Sequence, residues 1–214
     1  MTFKLVIVGA GGFCRETLDV IAAINELAGE PSIDVIGVLD DAPSAQALER
    51  LAARGVSCLG AIEPWLSQKP QAHYLICVGN PQRRAAIDQR FRAAGLEAAT
   101  VVHPHATIGS MATIGPGTVV CSGGEISTNV TLGRHAHVNP NATIGHDTIL
   151  ADYVSINPGA IVSGDVSIGT ETLVGAGAVI LQGLAVGARC IVGASACVTR
   201  DVEENRTVMG VPAR

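Results

Sequence analysis

A strict six-residue spacing of aliphatic side chains dominates the second half of the chain. Every sixth residue from Val102 to Val198 is Val, Ile or Leu, and the residue after it is often Gly. Neither an amphipathic helix nor an antiparallel meander has this period. The repeat predicts a left-handed parallel β-helix, in which each short strand points one aliphatic inward and three hexapeptides make a coil of eighteen residues.

The first half of the chain shows a different pattern, in which short apolar runs alternate with helical spacing. This alternation predicts a parallel sheet in an α/β Rossmann-like domain over residues 1–98, followed by the β-helix domain over residues 99–214. The predicted strands are Lys4–Val8, Ile33–Leu39 and His73–Val78, and the predicted helices are Arg15–Leu27, Ser44–Arg54 and Gln82–Ala94.

Composition and charge narrow the class of protein. The chain is 48% hydrophobic and 15% charged, with a net charge of −5, which favours a globular protein and disfavours binding to nucleic acid or to an anionic membrane. No signal peptide and no membrane span are expected, since the longest early apolar run is only Leu5–Val8. Six scattered cysteines fit a reducing compartment, so we expect a cytoplasmic protein.

A glycine-rich turn, Gly9–Gly12, follows the first predicted strand and opens the first predicted helix. Glycines allow a ligand close to the backbone, and a helix N-terminus offers free N–H groups, so the turn suits a phosphate. The second strand ends at Asp40 and Asp41, which suit ribose hydroxyls or the edge of uracil. The alternative is a tight turn that serves folding alone.

His146 and Asp147 follow an inward aliphatic and should lie at an outward-facing turn. One coil of eighteen residues further on, Gly164 should lie beside His146 at about the 4.8 Å spacing of adjacent strands. A histidine base next to an unobstructed backbone N–H suits acetyl transfer, which needs a proton acceptor and an oxyanion donor. The alternative is that His146 is only a polar turn residue at a boundary between subunits.

Two further features concern partners. The flat, largely aliphatic outer faces of such a prism predict burial against identical chains in a homotrimer. Two His-x-His pairs, His103 with His105 and His135 with His137, would each offer two imidazoles if alternate residues of one strand point the same way. No third ligand is evident, so surface or interface histidines are the favoured interpretation and no metal is expected.

The chain as a whole resembles the hexapeptide-repeat sugar acyltransferases, which include sialic-acid O-acetyltransferases and nucleotide-aminosugar N-acetyltransferases. The resemblance spans both halves, and it rests on the repeat and on five short segments. These are Gly9–Gly12, Leu39–Asp41, Val78–Asn80, Ile144–Asp147 and Gly210–Ala213.

The resemblance implies an acetyl-CoA-dependent transfer to a nucleotide-linked amino sugar by direct attack on the thioester, with N-acetylation of a 4-amino group expected. His146 would be the base, Asp147 its partner and the Gly164 N–H the oxyanion donor. The sugar nucleotide would be held by Gly11, Gly12, Phe13, Asp40, Asp41, Gly79, Gln82 and Arg84. Acetyl-CoA would lie in a groove between two prisms and touch Ser155, Gly164, Ala176 and Ala194.

Two positions depart from members that act on amino sugars, which often have His where this chain has Phe13 and Ser155. Transfer to a hydroxyl group, as in the sialic-acid type, is therefore the first alternative. A zinc hydratase of the carbonic-anhydrase type on the same prism and a nicotinamide-dependent enzyme that uses the glycine-rich turn are the others.

Overall fold

The computed structural model of the protein describes residues 2–29 and 31–214. The chain divides into two compact units, with the boundary between Thr100 and Val101. The predicted boundary between residues 98 and 99 lies close to it.

The first unit alternates strands and helices. In chain order its elements are β1 (Phe3–Val8), α1 (Gly12–Ala28), β2 (Ile33–Leu39), α2 (Ala45–Ala52), β3 (Cys58–Gly60), α3 (Ile62–Leu66), β4 (His73–Ile76) and α4 (Pro81–Ala93). The three strands and three helices that the pattern predicts are present. The pattern missed β3 and α3, which at three and five residues are too short to show a period. None of the described helices is long and apolar enough to span a membrane.

The four strands form one parallel sheet in the order β3-β2-β1-β4. Its centre is apolar, with Leu5–Val8 and Tyr74–Ile76 no more than 1% exposed. The carboxyl ends of parallel strands meet at one edge of the sheet. That edge therefore brings together the glycine-rich turn after β1, the two aspartates after β2 and Gly79 after β4.

The second unit is a prism of two-residue parallel strands, and each of its three faces is one sheet. The first face consists of Val101–Val102, Val119–Val120, His137–Val138, Ser155–Ile156, Leu173–Val174, Ile191–Val192 and Thr207–Val208. The second face consists of Thr107–Ile108, Glu125–Ile126, Thr143–Ile144, Ile161–Val162, Val179–Ile180 and Cys197–Val198. The third face consists of Thr113–Ile114, Thr131–Leu132, Ile149–Leu150, Ser167–Ile168 and Ala185–Val186. The predicted left-handed β-helix is thus the fold of this unit.

The register between coils is eighteen residues, as the repeat predicts. On the second face Ile144 pairs with Val162, and Val162 pairs with Ile180. The second residue of each strand points inward, and from Val120 to Val198 every one of these aliphatics is at most 2% exposed. The first coil differs, because Ile108 is 39% exposed with no earlier coil stacked against it in this unit.

The glycines after the inward aliphatics are required by the close approach of the coils. A Cβ at Gly145 would lie 2.4 Å from Gly164 N, and a Cβ at Gly175 would lie 2.5 Å from Ala194 N. The backbone of the next coil cannot yield at these points without moving the two coils apart. The period is lost after Val198, where Val186 bridges to Val202 and Ile191 pairs with Thr207, both sixteen residues apart.

Candidate functional site

His146 and Asp147 lie at the corner between the second and third faces of the prism, which is called the histidine corner below. The imidazole Nδ1 is 2.7 Å from Asp147 Oδ2, and the two side chains are 51% and 49% exposed. A carboxylate only accepts hydrogen bonds, so this contact favours the neutral tautomer with its proton on Nδ1. The opposite nitrogen, Nε2, is then the basic one.

The imidazole of His146 lies against Gly164 in the next coil, as the eighteen-residue register predicts. A Cβ built on Gly164 would be 2.5 Å from both Cε1 and Nε2 of the ring, so glycine is what leaves room for the imidazole. The N–H of Gly164 donates to no carbonyl among the described residues, whereas the neighbouring Asp165 N–H donates to His146 O. A basic nitrogen and an available backbone donor are therefore side by side.

Asp147 is held from two sides. Its Oδ1 accepts a 2.7 Å hydrogen bond from Asn129 Nδ2 in the preceding coil, while its Oδ2 faces His146. The bond from Asn129, and then that from His146, lower the pKa of the Asp147 carboxyl below its usual value. The carboxylate is thus ionised at neutral pH and fixed in orientation.

Buried Thr148 ties the same corner to the next coil. Its hydroxyl donates to Ser163 O at 3.0 Å and accepts from Val166 N at 3.4 Å, and the side chain is fully buried. These bonds flank Gly164 and hold the turn that carries it.

The other residues predicted to touch acetyl-CoA are not near His146 within one chain. Ser155 lies on the first face, where it pairs with His137 and is 2% exposed. Ala176 and Ala194 are exposed neighbours on adjacent coils, at the corner between the first and second faces. The second face separates them from Gly164, so one protomer does not bring the four residues together.

A cavity of about 650 Å³ lies in the first unit, at the carboxyl edge of the sheet. Of the eight residues predicted to hold the sugar nucleotide, it is lined by Gly11, Gly12, Phe13, Asp40, Asp41 and Gly79. Helix α1 begins beside it with Gly11 as N-cap and no side chain capping the helix. Such a terminus suits an anionic group. A larger open cleft of about 900 Å³ lies around Phe3, His73 and Gly95, where β1 and β4 begin, and contains none of these six residues.

Both aspartates at the cavity accept hydrogen bonds from backbone N–H groups of the chain. Asp40 accepts from Ala10 N at 2.7 Å and from Ala42 N at 2.9 Å, which ties the glycine-rich turn to the end of β2. Asp41 accepts from Ile62 N at 2.9 Å and pairs with Arg90 at 3.0 Å. The bond from Ile62, and then Arg90, lower the pKa of Asp41. Both carboxylates shape the loops as well as line the cavity.

Gln82 and Arg84 lie outside the lining of this cavity, which departs from the expectation. Arg84 is fully buried, and its guanidinium donates to Val78 O at 2.8 Å and Gly79 O at 3.3 Å. It fixes the end of β4 from inside, because α4 turns this side chain toward the core. Arg83, which is not among the predicted site residues, is exposed and lines the cavity instead.

The assumption that each histidine pair lies on one strand is wrong. His135 sits at a corner with φ of 50° and stacks on Tyr153, whereas His137 begins a strand. His103 and His105 belong to a turn, in which His103 Nδ1 accepts from His105 N at 2.9 Å. Among the described residues, no three His, Cys, Asp or Glu side chains are grouped closely enough to hold a metal ion.

Three residues of these sites, Asn129, Thr148 and Arg83, are not among those predicted from the sequence. Asn129 was within reach of the same coil arithmetic that found Gly164, because it precedes Asp147 by eighteen residues. Thr148 shows no signal in the repeat, since its position usually holds a small apolar residue. Arg83 and Arg84 are adjacent on a helix, and only the orientation of α4 separates them.

The profile of the PglD N-terminal domain family matches residues 4–91. A search of curated proteins gave no match. Several solved structures match over nearly the full length of both chains. The acetyltransferase domain of PglB from Neisseria gonorrhoeae in complex with acetyl coenzyme A is 31% identical, with a TM-score of 0.84 and coverage of 100% of this chain and 99% of that one.

Two further structures are each 27% identical to the chain. PerB from Caulobacter crescentus in complex with CoA and GDP-perosamine has a TM-score of 0.85 and covers 99% of this chain and 96% of its own. WeeI from Acinetobacter baumannii has a TM-score of 0.84, and the match covers 100% of this chain and 99% of WeeI.

The Rossmann-like unit, the β-helix and the histidine corner, together with these matches, define an acyltransferase. Within that class, the chain belongs to the hexapeptide-repeat sugar acyltransferases.

Proposed function

We propose that the protein transfers the acetyl group of acetyl-CoA to an amino group, at the 4-position, of a nucleotide-linked sugar. The contact of the His146 imidazole with Gly164 carries this proposal, since it pairs a base with an oxyanion donor. Support also comes from the match to PerB, whose structure holds CoA and GDP-perosamine, and to the PglB domain, whose structure holds acetyl coenzyme A.

The proposed reaction needs no covalent enzyme intermediate. The sugar amine attacks the thioester carbonyl while His146 Nε2 takes the proton that the amine loses. The Gly164 N–H donates to the oxygen that becomes negative, and Asp147 stabilises the imidazolium through Nδ1. The C–S bond then breaks, the amide forms, and the departing CoA sulfur receives the proton from the imidazolium.

The cavity in the first unit is the proposed site of the nucleotide. Gly11 and Gly12 allow the diphosphate to approach the N-terminus of α1, where the helix dipole and the N–H groups of the first turn favour an anion. Arg83 supplies a cation at the same cavity, whose aspartates are occupied by backbone N–H groups and by Arg90. Phe13 offers an apolar surface to the sugar or the base. We propose Arg83, rather than Arg84, as the direct ligand.

A homotrimer is proposed because the acetyl-CoA residues are separated within one chain. A groove between two prisms would let Gly164 of one chain and Ala176 and Ala194 of a neighbour contact the same acetyl-CoA molecule, with Ser155 at its side. The exposed aliphatics on all three faces, Ile149, Ile161 and Ile191, support burial against other chains.

The test follows thiol release from acetyl-CoA with purified protein and a panel of nucleotide-linked 4-amino sugars, each paired with its 4-hydroxy counterpart. We expect turnover with amino acceptors only. His146→Ala should lower kcat by roughly a hundredfold to ten-thousandfold, which is the usual contribution of a positioned base, while the oligomer survives. Turnover of the hydroxy partners would favour the O-acetyltransferase alternative, and normal activity of His146→Ala would remove the assigned base.

A further inference from the structure

Asn129 contacts the histidine corner, but the proposed reaction gives it no step. It lies one coil before Asp147, and both residues have left-handed backbone, with φ of 57° and 60°. Stacked turns of equal conformation direct their side chains in the same way. The amide of Asn129 therefore reaches Asp147 in the next coil, and its Nδ2 donates to Oδ1 at 2.7 Å.

The turn that carries Asn129 is itself anchored. The Asn129 N–H donates to Ser110 O at 2.9 Å, and the hydroxyl of Thr128 donates to the same oxygen at 2.8 Å. The next turn is joined to this one, because Asp147 N–H donates to Thr128 O at 3.2 Å. Asn129 thus acts from a fixed position, although its side chain is exposed.

The two oxygens of Asp147 have separate partners, Asn129 on Oδ1 and His146 on Oδ2. With both bonds the plane of the carboxylate is fixed, whereas with His146 alone a half-exposed carboxylate can rotate and exchange its oxygens with water. An amide is suited to the task, since it donates without adding a positive charge that would compete with the imidazolium for the carboxylate.

We propose that Asn129 is a positioning residue that fixes Asp147 and, through it, holds the His146 imidazole against Gly164. The chain of contacts runs across three successive coils, from Asn129 through Asp147 and His146 to Gly164. The proposal rests on the function proposed above, because it assigns a role within the same site.

The decisive variant is Asn129→Asp, because Asp has the same shape and also tolerates left-handed backbone. It removes the donor and places a second carboxylate beside Asp147. We expect kcat to fall by about tenfold, a part of what the base contributes, with the KM for acetyl-CoA little changed. Asn129→Gly, which keeps the backbone and removes the amide, should also lower kcat.

Asn205→Asp is the matched control. Asn205 also has left-handed backbone, with φ of 60°, and its exposed side chain accepts from Arg189 Nε at 2.7 Å. A carboxylate accepts that bond as well as an amide does, so Asn205→Asp should keep its full kcat. The Asp147 pKa provides a second measurement by carbon NMR, and both changes at Asn129 should raise it toward the ordinary value, since Asn129 is the main cause of its depression.

The outcomes separate this proposal from the proposed function. If Asn129→Asp keeps normal kcat and an unchanged Asp147 pKa while His146→Ala is inactive, Asn129 has no positioning role and the acetyltransferase assignment stands. If the wild type acetylates no nucleotide sugar, the proposed function fails, and the NMR titration still decides whether Asn129 holds Asp147. An equal loss of kcat in the Asn205 control would show a general effect of these turns and would overturn the assignment.

Discussion

Replacing Gly164 with alanine puts a methyl group where the imidazole of His146 lies. The added Cβ would be 2.5 Å from Cε1 and Nε2, whereas ordinary contacts begin at 3.4 Å. The ring must therefore retreat by about 1 Å, and its 2.7 Å contact with Asp147 is stretched or lost. Misplacement of a catalytic group by about 1 Å can cost on the order of a hundredfold in rate, and we expect a fall of that size in kcat.

The fold should tolerate this change. The atoms that the methyl group meets belong to the free end of an exposed side chain, and Gly164 has no left-handed backbone that would disfavour alanine. Thr128 and His146 occupy the same turn position in the two preceding coils. Loss of glycine flexibility in the unfolded chain gives a small opposing gain, so Tm should stay within about 3 °C of the wild type.

Gly145→Ala is the contrasting variant. Its methyl group would lie 2.4 Å from Gly164 N and 2.5 Å from Ser163 C, which are backbone atoms of the next coil. Overpacking of this kind costs about 3 kcal/mol, which corresponds to a fall in Tm of roughly 6–12 °C for a chain of this size. Gly164→Ala should therefore lower kcat and leave Tm nearly unchanged, whereas Gly145→Ala should lower Tm.

The assay combines thiol release with thermal unfolding on the same preparations. Normal kcat in Gly164→Ala would refute the reasoning, because it would show that the imidazole works from another position. A large loss of stability in Gly164→Ala would instead show that the ring cannot move away and that the corner is rigid.

Three further changes test other parts of the molecule. Ile144→Ala removes a fully buried side chain below the histidine corner and should cost about 2–5 kcal/mol in unfolding free energy, measured by denaturant titration. Arg83→Gln should raise the KM for the nucleotide sugar by about tenfold with kcat nearly unchanged, and Arg83→Lys should restore part of the affinity. The pKa of Asp41 is lower in the folded state than in the unfolded chain, so the stabilising contribution of this carboxylate is lost as the pH falls below about 4. The stability of Asp41→Asn should therefore fall less steeply than that of the wild type between about pH 5 and pH 3.

The β-helix could be predicted almost completely, because its period is a direct consequence of its geometry. The spacing of one inward aliphatic per hexapeptide predicts that Gly164 lies beside His146. Ile144 and Val162 pair as a coil of eighteen residues requires. The end of the prism could not be predicted. After Val198 the spacing between paired coils falls to sixteen residues, and the aliphatics of the last coil, Val202 and Val208, lie outside the phase of the repeat.

The first unit was less accessible to sequence reasoning. Buried strands and helices of ordinary length were predictable, but β3 and α3, at three and five residues, are too short for a repeated pattern to be recognised. The exchange of Arg83 for Arg84 has a related cause. Adjacent helical residues point about 100° apart, so an error of one residue separates a cavity ligand from a buried structural group.

The histidine corner shows how a repetitive fold confines chemistry to one place. The turn positions that stack in one column are Ser110, Thr128, His146, Gly164 and Gln182, and only one adjacent pair in it places a base against a bare amide. The column beside it supplies Asn129 and Asp147 in the matching coils. Because the core aliphatics and the glycines that follow them already fix the coil, these turn residues bear little of the folding energy. Substitutions at these turn residues should therefore lower activity far more than stability. Substitutions of the core aliphatics or of the glycines that follow them should lower stability far more than activity.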